Sequence, residues 1–317
     1  MHGCPARAPA RIALVGYGAL GHAFATGFRA GRVADVRVFA RERSDAAGVA
    51  ALRDRLRTTG VRVCATVAEA VAGADAVVAA VPAGAAAEVA AACVPSLRAG
   101  AVYIDPSPLH PVDKARLAAL VDEAGAGYVD LAVLGTVAVS GAAVPCLAAG
   151  PGASRWREIV TPLGFAVTVV DGPAGRASLV KLLRSVYTKG RDALILEMVL
   201  AARRHGVDDI VLTSIGGPGE QVPFPDLVHR VVTSLAVYAE RRATELDAAA
   251  ELVEEARLEP LMTSAGAARL RWLAALEPRA EFGGERPSDL DEVLAVIEAL
   301  DAARSSSGSS ADQAPRG

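Results

Sequence analysis

Over its first half the chain alternates short apolar runs with Ala-rich stretches of helical period. Arg11–Val15 reads as a strand, followed by a glycine-rich loop and a helix to about Ala30. Val36–Ala40, Arg62–Ala65, Ala76–Val81, Ala101–Asp105 and Gly127–Asp130 read as further strands, with Cys146–Ala149 and Ala166–Val170 after them. Strands alternating with helices predict βαβ units and a mostly parallel sheet. Ala76–Val81 is apolar throughout, as a strand covered on both faces requires.

The pattern changes at Asp171-Gly172-Pro173. From Ala174 to about His205 no proline interrupts a helical pattern, and Leu179, Leu182, Leu183, Val186, Leu194, Met198 and Val199 recur at helical spacing. Further helices are predicted over Asp226–Leu246, Ala248–Leu258, Thr263–Leu276 and Ser288–Ala303, separated by breaks at Gly216-Gly217-Pro218-Gly219, Pro260 and Gly283-Gly284. The expected organisation is a flexible N-terminus (1–10), an α/β domain (11–172), an all-α domain entered through a long interdomain helix (173–303) and a Ser/Gly/Pro-rich disordered tail (304–317).

Composition narrows the function classes. Hydrophobic residues make up 52% of the 317, enough for a core, but aromatics only 4%, so that core is built from Ala, Val and Leu. A net charge of −3 with no basic face argues against nucleic acid as a partner. No run is long and clean enough to span a bilayer, and Met1 to Ala10 hold no apolar signal core. Cys4, Cys64, Cys93 and Cys146 lack metal-ligand spacing and read as reduced thiols of a cytoplasmic protein, so no metal is expected.

Positive charge is carried almost wholly by arginine: among 33 basic residues only Lys114, Lys181 and Lys189 are lysine. Arg does not release its proton at usable pH, whereas a partly buried Lys does. Two of the three lysines fall in the segment from Val180 to Gly190, where a helix would set Lys181, Ser185 and Lys189 four residues apart on one stripe. Such a stripe offers an anionic substrate a proton donor, a hydroxyl and a second cation. Two surface cations left by chance is the plainer alternative.

The run Arg11-Ile12-Ala13-Leu14-Val15-Gly16-Tyr17-Gly18-Ala19-Leu20-Gly21 is a strand leading into GxGxxG and a helix. Gly16 permits the tight turn, Gly18 lets the backbone approach a pyrophosphate, and Gly21 lets helix and strand pack closely. The amides at the helix start favour phosphate. This context predicts a dinucleotide-binding, Rossmann-type domain. The second strand ends in Ala40-Arg41-Glu42-Arg43-Ser44, without the acidic tip that binds the ribose hydroxyls of NAD. Arg41, Arg43 and Ser44 suit a 2′-phosphate, so NADP is expected over NAD, with a solvated polar turn as the alternative.

The order of motifs resembles the β-hydroxyacid dehydrogenase superfamily, which includes 6-phosphogluconate dehydrogenase. The likeness runs from about Arg11 to His205. Beyond the glycine loop, Val81-Pro82 matches the strand end near the nicotinamide. Asp105-Pro106-Ser107 with Pro111 resembles the D-x-S/T…P segment. Asp130-Leu131-Ala132-Val133-Leu134-Gly135-Thr136 resembles the D-A-P-V-S-G-G substrate loop, and Gly175 to Ser185 resembles G-x-x-x-x-x-K-x-x-x-N. Two departures bear on the substrate: Leu134 stands where the family has Ser, and Ser185 where it has Asn, in a chain with no Asn at all. The helical remainder resembles a less characterised branch.

The resemblance implies hydride transfer between a nicotinamide and a small anionic hydroxy acid or keto acid, with Lys181 as general acid/base and Ser185 beside it. It also implies Ser107, Gly135, Thr136, Arg184 and Lys189 around the substrate, Ser107 also near the nicotinamide, and a homodimer. To act near neutrality Lys181 needs its pKa lowered by burial or a neighbouring cation. Two other functions stay open. Imine reduction occurs on this fold, although related imine reductases usually lack the lysine. A cofactor-binding sensor without catalysis is the third. His22 and His110 have no evident partner, and Asp105 and Asp130 read as strand-end caps.

Overall fold

Arg11–Val15 is the inner strand β1 of the computed structural model, which describes residues 11–41, 46–217 and 222–310. The elements that follow are α1 (Ala19–Ala30), β2 (Asp35–Phe39), α2 (Ala46–Thr59), β3 (Arg62–Val63), α3 (Val67–Val71), β4 (Ala76–Ala79) and α4 (Ala86–Cys93). Then come β5 (Val102–Asp105), α5 (Pro111–Asp122), β6 (Gly127–Val133), α6 (Val137–Ser140), β7 (Cys146–Ala149), α7 (Ala153–Val160) and β8 (Val167–Val169). The eight strands lie in the order β3-β2-β1-β4-β5-β6-β7-β8, parallel except for the antiparallel pair β6–β7. The mostly parallel Rossmann-like sheet expected from the alternation is present, with strand ends within a few residues of those predicted.

Alternation along β1 decides which layer each side chain enters. Ile12 and Leu14 join Phe24, Phe28, Trp156 and Phe165 on one face, while Ala13 and Val15 join Val77, Ala79, Tyr103 and Tyr128 on the other. The rings are concentrated rather than dispersed: Phe28 stacks on Phe165 at 5.0 Å between centroids, with Phe24 edge-on at 5.1 Å. Strand order reverses between β1 and β4. In such sheets that switch opens a crevice beyond the strand C-terminal ends.

The chain divides into two compact units, up to Val186 and from Tyr187, so the division falls inside the long helix α8 (Arg176–His205). The second unit also holds α9 (Asp208–Ile215), α10 (Phe224–Glu255), α11 (Leu261–Ala274), α12 (Pro278–Glu281) and α13 (Leu290–Ser310). The two helices predicted over 226–258 are one, because Leu246-Asp247-Ala248 contains neither Gly nor Pro. Helix α9, which carries Asp208 and Asp209 in its first turn, and the short α12 were not predicted. Helix α13 runs to Ser310, past the expected end at Ala303.

Several apolar side chains of α8 and α9 lie on the surface of their units, including Leu183, Val186, Leu196 and Ile210. Among the described residues no helix is long and apolar enough to cross a membrane.

In the second unit Glu197 of α8 caps α11. Its carboxylate accepts from the amides of Met262 (2.8 Å) and Thr263 (2.9 Å) and from the Thr263 hydroxyl (2.7 Å). Burial works against this charge, but the hydrogen bonds from Thr263 and Met262 outweigh it and hold the carboxyl below the usual glutamate range. Glu197→Ala is expected to cost about 1 kcal/mol of stability near neutrality, the scale of a lost N-cap. The cap is at full strength above the ordinary glutamate pKa and is lost as pH falls through the depressed one. Urea denaturation should therefore show the gap between wild type and variant closing in acid, and a gap independent of pH would refute the assignment.

Candidate functional site

The glycine turn after β1 lies at the switch between β1 and β4. Gly16 has φ +96°, and a Cβ there would strike the carbonyl of Ala80 and come within 2.9 Å of Val81 Cγ1. Its amide donates to Phe39 O at 2.8 Å, tying the turn to β2. A Cβ on Gly21 would sit 2.5 Å from Gly16 O, so glycine there brings α1 against the turn. At Gly18 a Cβ would meet nothing within 4 Å. Its bare backbone, followed by Ala19 and Leu20 at the start of α1, leaves the first-turn amides open to an anion. No acidic side chain occupies that turn.

From the turn a groove of about 440 Å³ runs between β2 and β4, lined by Gly16, Tyr17, Gly18, Ala40, Arg41, Arg55, Val81 and Pro82 among others. Tyr17 is buried, and its hydroxyl donates to Thr59 Oγ1 at 2.8 Å with His22 Nδ1 3.2 Å away. Its side chain thus braces the turn against α2. Arg41 stands exposed on the groove rim and pairs with Glu88 at 2.9 Å. Arg43 and Ser44 lie outside the described residues. Arg55 is an addition to the expected set: it lines the groove, and its Nε is buried without a protein partner. The signal was available, since Arg55 follows buried Leu52 and precedes buried Leu56 on the inward side of α2. The bare Gly18 backbone and the unpartnered Arg55 nitrogen suit a nucleotide carrying phosphate.

A second cluster forms where the end of β5 pairs with the middle of β6. Asp105, Asp130 and Lys114 are all essentially without solvent exposure. Lys114 Nζ donates to Asp105 O (2.8 Å) and lies 3.0 Å from Asp105 Oδ2 and 3.5 Å from Asp130 Oδ1. Tyr128 donates to Asp105 Oδ2 at 2.6 Å, and the Ser107 amide to Asp105 Oδ1 at 2.8 Å. Asp130 accepts from the amides of Gly175 (3.1 Å) and Ser178 (2.8 Å) and from the Ser178 hydroxyl (2.6 Å). The beginning of α8 is thereby fastened to the sheet, with Lys181 less than a turn past Ser178. The two aspartates, expected as strand-end caps, instead enclose a cation. Lys114 was missed although it is one of only three lysines.

Lys181 is half-buried. Burial first, and the Lys114 charge second, push its amine below the ordinary lysine pKa, against the opposing pull of the Asp130 and Asp105 carboxylates. Burial raises the Cys146 thiol to about 12, so it stays protonated beside the amine. Ser107 Oγ is buried with no protein partner, a free hydroxyl at the end of β5. Ser185 donates its hydroxyl to Lys181 O at 2.9 Å, which fixes the side chain on its own helix. Arg184 Nη1 donates to Leu134 O at 3.0 Å, binding the backbone of the loop that holds exposed Gly135 and Thr136. Lys189 belongs to the second unit, where it is exposed and 3.8 Å from Asp192. His110 caps α5, accepting from the Val112 amide at 3.3 Å. Among the described residues no group of His, Cys, Asp and Glu is arranged to hold a metal.

Residues 11–168 match the family described as the NAD binding domain of 6-phosphogluconate dehydrogenase, and residues 202–273 match a domain of unknown function, DUF1932. An uncharacterised 28.5 kDa protein of Methanothermus fervidus is 27% identical over 161 residues. That alignment spans 51% of this chain and 61% of the relative, less than two thirds of its length. A conserved protein of unknown function, described as structurally similar to 3-hydroxyacid dehydrogenases, is 25% identical, with a TM-score of 0.56 over 84% of this chain and 99% of that one. An imine reductase from Myxococcus stipitatus in complex with NADP+ is 18% identical, with a TM-score of 0.70 over 90% and 99% of the two chains, a likeness of fold.

Proposed function

We propose that this chain, which belongs to the 6-phosphogluconate dehydrogenase-like family of NAD-binding oxidoreductases and carries the DUF1932 helical domain, interconverts a small anionic hydroxy acid and its keto acid with NADP. One observation carries the reading. A half-buried lysine, its amine biased toward releasing a proton, lies along the same sheet edge as a glycine turn open to phosphate. When bound, the nicotinamide supplies or accepts the hydride. The chain's own task is the proton. In reduction Lys181 donates an N–H proton to the substrate carbonyl oxygen, and in oxidation its free amine takes the hydroxyl proton. Ser107, Gly135 and Thr136 hold the carboxylate, with Arg184 steadying the loop and Ser185 keeping the Lys181 turn in register. We take the protein to be cytoplasmic and to work as a homodimer that covers the exposed apolar residues of α8 and α9.

The test is a screen of hydroxy acids, keto acids and ketone–amine mixtures, followed at the absorbance of the reduced nicotinamide. Turnover with hydroxy or keto acids supports the proposal. Turnover only when an amine is present would make the protein an imine reductase, and tight cofactor binding with no turnover would make it a sensor.

NADP rather than NAD rests on Arg41, Arg43 and Ser44 in the sequence after β2 and on Arg41 and Arg55 in the groove. Arg55→Ala is expected to weaken NADPH binding roughly 10- to 100-fold, the scale of a charge-assisted hydrogen bond, and to leave NADH binding unchanged. Fluorescence titration with both cofactors reads this directly, and equal losses for the two would remove Arg55 from the phosphate site.

A further inference from the structure

Lys114 is a costly residue to keep. An ammonium with no solvent exposure needs compensation by opposite charge and hydrogen bonds, and here two carboxylates and a carbonyl supply it. The chain uses arginine for nearly all its positive charge, yet at this point of convergence it keeps the compact ammonium. The ligands come from β5 and β6, and one of them, Asp130, also holds the amide of Gly175 and both polar groups of Ser178. Anything that fixes Asp130 therefore fixes the helix turn that carries Lys181.

We propose that Lys114 is a positioning residue for Lys181: clamped between Asp105 and Asp130, it anchors the start of α8 and provides the fixed positive charge that the Lys181 amine faces. The proposal rests on Lys181 being the acid/base of the reaction. The charged groups acting on that amine are Lys114 from α5, Asp105 from β5 and Asp130 from β6, with the protonated Cys146 thiol of β7 beside them. Lys114 works with burial to favour the free amine, and the two carboxylates work against it.

Having only three lysines makes the test direct. The full-length protein is labelled with acetic anhydride across a pH series, and peptide mass spectrometry reads each lysine separately. Only the free amine reacts, so exposed Lys189 serves as the internal reference and buried Lys114 labels only in unfolded molecules. In the wild type, Lys181 should reach half-labelling at lower pH than Lys189. In Lys114→Met that midpoint should move up by roughly one pH unit, the size of effect a single close charge produces. In Asp105→Asn, which removes an opposing carboxylate, it should move down. A fold defect alone would not shift the midpoint in opposite directions, and if Lys114→Met does not fold, the downward shift in Asp105→Asn carries the test. A low wild-type midpoint that neither variant moves would overturn the proposal. A wild-type Lys181 midpoint equal to that of Lys189 would instead sink the acid/base reading beneath it.

Discussion

Replacing Lys181 by alanine is expected to lower the maximal rate of hydroxy-acid oxidation roughly 10²- to 10⁴-fold, the usual contribution of a positioned acid/base. Cofactor affinity should be untouched, because Lys181 is not among the residues lining the nucleotide groove. Lys181→Arg should be no better, since a guanidinium keeps its proton. The wild-type pH profile gives an independent check. Oxidation needs the free amine, which burial and the Lys114 charge bring within reach below the usual lysine range. Its rate should rise with pH and level off before an exposed lysine would titrate, while ketone reduction, which needs the ammonium, falls through the same window. Steady-state rates in both directions measure this. Full activity in Lys181→Ala, or a profile flat through that window, would discard the residue as the proton carrier.

The largest loss of stability is expected at Asp130. Alanine there removes three hydrogen bonds to the start of α8 and one carboxylate facing Lys114, with no solvent to compensate. Breaking a buried pair from one side costs about 3–5 kcal/mol. A denaturant titration should show a correspondingly lower midpoint, and Ser178→Ala, which keeps the ion pair and both amide bonds, should cost much less. Equal effects at the two positions would mean that the charge does not matter.

What the sequence reveals follows from how local the signal is. The glycine turn was legible because strand, loop and helix are contiguous and each glycine has its own steric reason. The buried strands were legible because continuous apolar runs have few other uses. Lys181 stood out through the scarcity of lysine together with its place in a family-like helix start.

The Asp105–Lys114–Asp130 cluster was not legible, because its members come from β5, α5 and β6 and meet only in the folded sheet. In a linear reading, isolated charges look solvated. Arg55 did carry a local signal, its place between Leu52 and Leu56, but it reads as one arginine among several on a polar helix. The apolar spacing of α8 did predict the helix, but not that Leu183 and Val186 would remain exposed at 63% and 73%. Periodicity marks a face without saying what covers it. The separation drawn at Asp247 failed because a charged residue between good helix formers is no breaker.

The attachment of Gly175 and Ser178 to Asp130 bears on where the chain can be cut. A fragment ending with the last strand, at Val169, would contain every β-strand and the whole glycine turn, yet would leave two aspartates and an ammonium sealed inside without the backbone that completes their shell. A free-standing nucleotide-binding piece has to extend through Val186, carrying the opening turns of a helix whose remainder belongs to its neighbour.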